Sequence, residues 1–216
     1  MPWPTRTEKF LTHISHSVKI LGMRIFISVL VLIFSIQSWA KADGISEFEI
    51  EGMRVGDSLL DFFSKEEIEN TKKYYWENKK FAGSRGWLKN QDFYEAWQAY
   101  YKSDDVKYII HYITVYSAMN NNLEECNKRK NIIVEEGKNK TSNAKFIDLG
   151  KIINPADVTK KSLSYKVRFD FKDGSGIMVT CTDFSEEMEA KGYGDNISVE
   201  ILSAEFKYFL TNEAYQ

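Results

Sequence analysis

The stretch "LSYKVRFDFKDGSGIMVTCTD", residues 163–183, constrains the fold more than any other part of the chain. Leu163, Tyr165, Val167, Phe169 and Phe171 alternate with Ser164, Lys166, Arg168 and Asp170, the two-residue period of a strand with one buried face. "DGSG" then turns the chain, and Ile177, Val179 and Cys181 resume an apolar row. A two-residue Asp-Gly loop would set Phe169 opposite Met178 and place the two rows on opposite faces, because a slip of one residue reverses every side chain. A loop of three or five residues restores the match. The sequence therefore predicts a bulged hairpin here, with Gly174 or Gly176 at positive φ.

The same hairpin points Cys181 inward. Upstream, "NNNLEECNKRKNIIVEEG" reads as a helix capped by Asn122, with Glu125 at the reciprocal position and Leu123, Cys126, Lys130 and Ile133 at helical spacing. Cys126 lies on the face that seeks the sheet. Cys126 and Cys181 are the only cysteines in the chain. Two readings stand: a disulfide closing a loop of about 56 residues, for which the chain-entropy estimate is about 4 kcal/mol, or two buried free thiols. Export to an oxidising compartment favours the bridge.

The remaining text supplies the other elements. "SEFEIEG" alternates as a short strand ended by Gly52, and "GDSLLDFF" opens a helix that Asp57 or Ser58 can cap. Ser64 and Glu67 form a capping box for a second helix over "SKEEIENTKKYYW". "DFYEAWQAYY" fits a helix or a strand, and the "KSDD" turn with "VKYIIHYITVYS" after it decides for a hairpin. The second strand, from Val106 to Ser117, is apolar on both sides and so central in the sheet. Residues 138–161 are polar, with a turn or short helical piece at Asn154-Pro155. "NISVEILSAEFKYFL" changes alternation phase near residues 201–203, which reads as a strand with a bulge or bend. The sum is an α+β domain: a mostly antiparallel sheet of about five to six strands with two to three helices packed on one face.

The domain has a leader. Ile25 to Ile36 is an uncharged run of twelve residues broken only by Ser28 and Ser35. As a helix it covers about 18 Å of a hydrocarbon core about 30 Å thick. Arg24 before it and Ala40-Lys41-Ala42 after it give residues 23–42 the layout of a secretory signal peptide, cleaved after Ala42 or Ala40. The alternative is an uncleaved signal anchor, in which case the protein meets the membrane through this segment. If translation starts at Met23 the signal has an ordinary layout and residues 1–22 are an upstream segment included by mistake; otherwise they form a long n-region. A single domain over residues 43–216 follows.

Composition narrows what that domain does. The leader holds five basic residues and one acid, leaving 24 basic against 30 acidic residues, a formal −6. With no concentrated basic run, nucleic acid is excluded as a partner. His111 is the only histidine after residue 42 and sits among strand residues, so neither a hydrolytic triad nor a protein zinc site has enough parts. "DFKDGSG" lacks the ligand pattern of a calcium loop, and "GSRG" and "GYG" lack that of a phosphate loop. No catalytic residue, metal ligand or cofactor motif is assigned.

The one feature above background lies between Tyr74 and Tyr101, where ten of 28 residues are aromatic. Trp76, Trp87 and Trp97 are the candidate binding residues, since exposed indoles stack on sugars or anchor protein partners; the alternative is that they are core. "FEIEGMRVGDSLLDFFSKEEI" resembles a stretch of small exported proteins of unknown function from low-GC marine bacteria, a resemblance of about twenty residues. It implies a bacterial periplasmic setting and supplies no activity. The expectation is a periplasmic or secreted binding or interaction module, non-enzymatic, with a protein or saccharide ligand. The rivals are a small hydrolase with Asp/Glu chemistry on a saccharide-like substrate and a signal-anchored, membrane-associated protein.

Overall fold

A computed structural model describes residues 44–45, 48–71, 73–91, 93–141, 143–155 and 157–214. The leader reading falls outside them. The described chain is α+β: an eight-stranded antiparallel sheet, a two-stranded hairpin and four α-helices.

The hairpin comes first, β1 (Glu49–Ile50) and β2 (Met53–Arg54), with an Arg54–Glu49 ion pair across it. Next comes a single 3₁₀ turn, Leu59–Asp61, where a longer helix was expected; Ser58 does cap it, accepting from the Leu60 N–H. The Ser64/Glu67 capping box closes in both directions at the start of α1 (Lys65–Asn70). That helix is shorter than the sequence suggested, because the β-favouring Tyr pair leaves it to form β3 (Tyr74–Tyr75).

Strands β4 (Phe81–Trp87), β5 (Ala96–Lys102) and β6 (Tyr112–Ala118) continue a meander from β3. The β5–β6 hairpin is present, but β6 starts at Tyr112 and not at Val106, which is exposed. The Asp105 carboxylate accepts from the Lys107 and Ile109 N–H groups and so removes them from the ladder. β6 is central, between β5 and β10 (Asn196–Leu202).

Helix α2 (Leu123–Lys140) is capped by Asn122, which accepts from the Glu125 N–H. The Glu125 carboxylate pairs with Arg129 at 2.8 Å. Cys126, Lys130 and Val134 form its buried face. α2 carries the chain to the far edge of the sheet, where β7 (Lys145–Ile153), β8 (Leu163–Asp170), β9 (Gly176–Asp183) and β10 form a second meander. β10 then pairs with β6, so two four-stranded meanders meet at the centre of the sheet. Strand β7, in the segment read as polar loop, raises the strand count above the five or six expected. Its sequence hid it because it is an edge strand with few buried residues and a bulge between Asp148 and Gly150.

The β8–β9 hairpin has the five-residue loop that parity requires. Asp170 pairs with Gly176, Phe169 faces Ile177, and Gly174 adopts φ +90°. After the short α3 (Glu186–Glu189) and β10, the chain enters α4 (Ala204–Asn212), where a continued strand was expected. The change of phase at 201–203 marks a strand becoming a helix: Ser203 caps α4 by accepting from the Phe206 N–H at 3.1 Å.

Register assigns the two faces. Trp97, Val115, Val199, Val179 and Val167 align across five strands on the face covered by α2, α1 and the first hairpin. There Cys126 and Cys181 form a disulfide, joining the first turn of α2 to β9. On the other face Tyr100, Tyr112 and Leu202 meet Phe206 and Phe209 of α4 in a second cluster. Helices thus pack on both faces, not on one, because the apolar row of α4 falls in register with the opposite set of strand residues.

Candidate functional site

Beyond the patch that α4 covers, the α4 face is polar. Its cross-strand rows run Gln98, Thr114, Glu200, Met178 and then Arg168, and beside them Ala96, Tyr116, Ser198, Thr180 and Lys166. A purely structural sheet face with this degree of burial would be filled by aliphatic side chains. Here the hydroxyls of Thr180 and Ser164 are buried on this face with no hydrogen-bond partner among the described residues.

One end of the face opens as a cleft of about 510 Å³ over β4, β5 and β6, with Arg85, Trp87, Gln98 and Tyr116 around it. Alternation along β4 explains the layout. Ala82 and Ser84 turn to the packed face and are small and buried, whereas Arg85 and Trp87 are exposed, Trp87 at 71%. The Arg85 guanidinium lies 5.0 Å from the centre of the Tyr74 ring. Gln98 joins two phenols: Tyr116 donates to its Oε1 at 3.3 Å, and its Nε2 donates to the Tyr100 hydroxyl at 2.6 Å. Tyr112 donates to Glu200 Oε2 at 3.0 Å.

The burial of these groups disfavours their charged forms. Burial, reinforced by the Glu200 carboxylate, pushes the Tyr112 and Tyr116 phenols above their ordinary value. Burial also raises Glu200, against the opposing pull of Lys166 and the hydrogen bonds from Tyr112 and Ser198. Gln98, Tyr100 and Tyr116 thus offer uncharged donors and acceptors beside a flat indole and one guanidinium. Such a set matches an uncharged polyhydroxylated ligand, whose ring face can stack while its hydroxyls bond.

The three candidate tryptophans separate. Trp97 is buried and stacked on Phe63 at 4.4 Å, on the α2 face. Trp76 packs between Tyr100, at 4.7 Å, and Phe209, at 5.0 Å, and so supports the Tyr100–Gln98 pair from behind. Trp97 and Trp87 both line the cleft, but of the three tryptophans only Trp87 is exposed. Arg85, Gln98, Tyr116 and Glu200 were missed by sequence reasoning. The alternation of β4 could have indicated Arg85, but the others depend on strand register.

His111 directly precedes β6. Its Nδ1 stands 3.4 Å from Ser203 Oγ and 3.6 Å from Glu205 Oε2, and burial lowers its pKa against the pull of Glu205. Both neighbours contact the same ring nitrogen, and Ser203 Oγ is engaged as the α4 cap. A relay from nucleophile through base to orienting acid needs both ring nitrogens, so this arrangement is structural. Asp157 is likewise a loop anchor. Its carboxylate accepts from Ser162, Thr159 and Ser185, and those hydrogen bonds outweigh desolvation to hold it well below the usual carboxylate range.

Among the described residues no group of three or more His, Cys, Asp or Glu side chains is placed to hold a metal ion. Among the same residues no helix is long and apolar enough to cross a membrane. No protein-family model, curated protein or solved structure matches the chain.

Proposed function

We propose that the protein is an exported, non-enzymatic binding module of the bacterial envelope, and that its ligand is a saccharide or related polyol held in the Trp87 cleft. The observation that carries this reading is Trp87, 71% exposed on a rigid strand, next to Arg85 and to the Gln98–Tyr116 pair. A large exposed indole held on a strand offers a flat apolar platform on which a sugar ring can stack. The cleft is lined by the Arg85 guanidinium and by uncharged side chains, with no carboxylate among the described residues that line it, which favours binding over acid-base hydrolysis. The Cys126–Cys181 disulfide supports an oxidising compartment.

A glycan array followed by calorimetry on the best hit tests the proposal. Binding is expected, and Trp87→Ala is expected to weaken it on the order of tenfold or more, the stacking contribution of one aromatic platform. Because Trp87 is largely exposed, its loss should leave the melting temperature nearly unchanged. An array with no saturable hit, or a Trp87→Ala protein that binds as well as the parent, would overturn the reading.

A further inference from the structure

We infer a second binding site, independent of the Trp87 cleft, for a small apolar molecule carrying a cationic head, such as a primary alkylamine. A cavity of about 220 Å³ lies between the second half of α2, the β1–β2 hairpin and strands β8 to β10. Its apolar walls are Ile50, Phe169, Ile177, Val179, Val199 and Ile201. These belong to the core: Phe169, Val179 and Ile201 are 0–2% exposed, while Ile50, Ile177 and Val199 keep 6–7%. Protein interiors pack at the density of organic crystals, and an apolar cavity of about 150 Å³ is already large enough to take up benzene. A six-carbon chain or a single aromatic ring therefore fits here. Gly137 of α2 stands over Phe169, where a Cβ would come within 2.9 Å of the ring tip; its absence lets the ring stay out of the void.

The mouth selects the head group. It carries Glu51, Tyr94, Glu136 and Lys140. Glu49 also lines it but is committed to Arg54 at 2.5 Å. Two carboxylates against one ammonium favour an entering cation over an entering anion. The head group remains at the exposed rim, so it keeps most of its hydration while the chain enters the core.

The test is a titration of the protein with n-hexylammonium, n-hexanol and hexanoate, following the methyl resonances of Ile177, Val179, Val199 and Ile201. Hexylammonium should shift these methyls saturably, and hexanoate should bind on the order of tenfold more weakly, as expected for a partly screened charge preference. Glu136→Lys, at an exposed position of the mouth, should reverse that order without altering the apolar walls. Val199→Phe should fill the void and abolish binding by all three probes, while Trp87→Ala should leave binding unchanged. The inference fails if hexylammonium moves none of these methyls at its solubility limit. It also fails if hexanoate binds as tightly as hexylammonium, or if a folded Val199→Phe protein binds like the parent.

Discussion

Glu200 is a carboxylic acid set in the middle of a sheet face, with Thr114 and Met178 as its cross-strand neighbours. Desolvation disfavours its charged form, and the Tyr112 hydrogen bond and Lys166 compensate only in part, so its folded pKa lies above the ordinary value of 4.5. Between those two values the folded state holds a proton that the unfolded state has released. Stability therefore falls as pH rises through that window, and the cost is fully present above it. Glu200→Gln keeps the shape and the acceptor for Tyr112 while removing the ionisation. The variant should match the parent near pH 4 and exceed it in stability at pH 7, as read from urea midpoints at the two values. A variant less stable than the parent at pH 7 would show that the charged form is the stabilised one. Lys73 illustrates the opposite solution for a charge near the core. Its ammonium donates to the Ile68 carbonyl, Ser84 Oγ and the Tyr101 hydroxyl at 2.7–3.0 Å, so every donor has a neutral acceptor and α1 is tied to the sheet.

At the scale of elements, the junction between β10 and α4 rests on Ser203. Its side chain caps the helix, and its backbone N–H donates to the His111 carbonyl at 2.8 Å. Ser203→Ala should cost about 1 kcal/mol, the usual value of a lost cap, and Ser203→Asp should restore it because a carboxylate also suits a helix N-terminus. Chemical denaturation of both variants checks this. If Ser203→Asp is as unstable as the alanine form, the contact with His111 Nδ1 matters more than the cap. The same junction shows where sequence reading reached its limit. Alternation identified β8, β9 and β10 and even the parity of the 171–175 loop, because each has one clearly apolar row facing α2. It misread residues 203–212 because Ala204, Phe206 and Tyr208 also alternate, and the cap at Ser203 is a one-residue signal easily outweighed by a pattern. It missed β7 because an edge strand has few neighbours to demand an apolar row. Of the site, the exposed indole was legible as a candidate, but its separation from Trp76 and Trp97 was not. Which of three tryptophans faces solvent depends on the pairing of Gly86 with Trp97 and of Trp87 with Ala96, which is set by tertiary register.

At the scale of the molecule, the chain is two meanders whose joining ladder, β6 with β10, brings together residues as distant as Tyr112 and Leu202. Such contacts form only after a long loop has closed, and closing it costs conformational entropy. α2 bridges the meanders, and the Cys126–Cys181 bond pins its first turn to β9 across a separation of 55 residues. In the unfolded chain that bond confines α2, β7, β8 and most of β9 to one loop, so it removes much of the entropy that the second meander would lose on folding. The chain-entropy estimate for a loop of this size is about 4 kcal/mol. Cys126→Ala with Cys181→Ala should therefore lower the urea midpoint by an amount equivalent to roughly 2–4 kcal/mol. The urea m-value should rise as well, because the unfolded ensemble becomes more open. The native far-ultraviolet spectrum should be unchanged, since the sheet ladders do not depend on the bond. A midpoint equal to that of the parent would mean that α2 and the second meander are already held together by their packing, with Gly137 against Phe169 at one end of the helix and buried Lys130 and Val134 along its face.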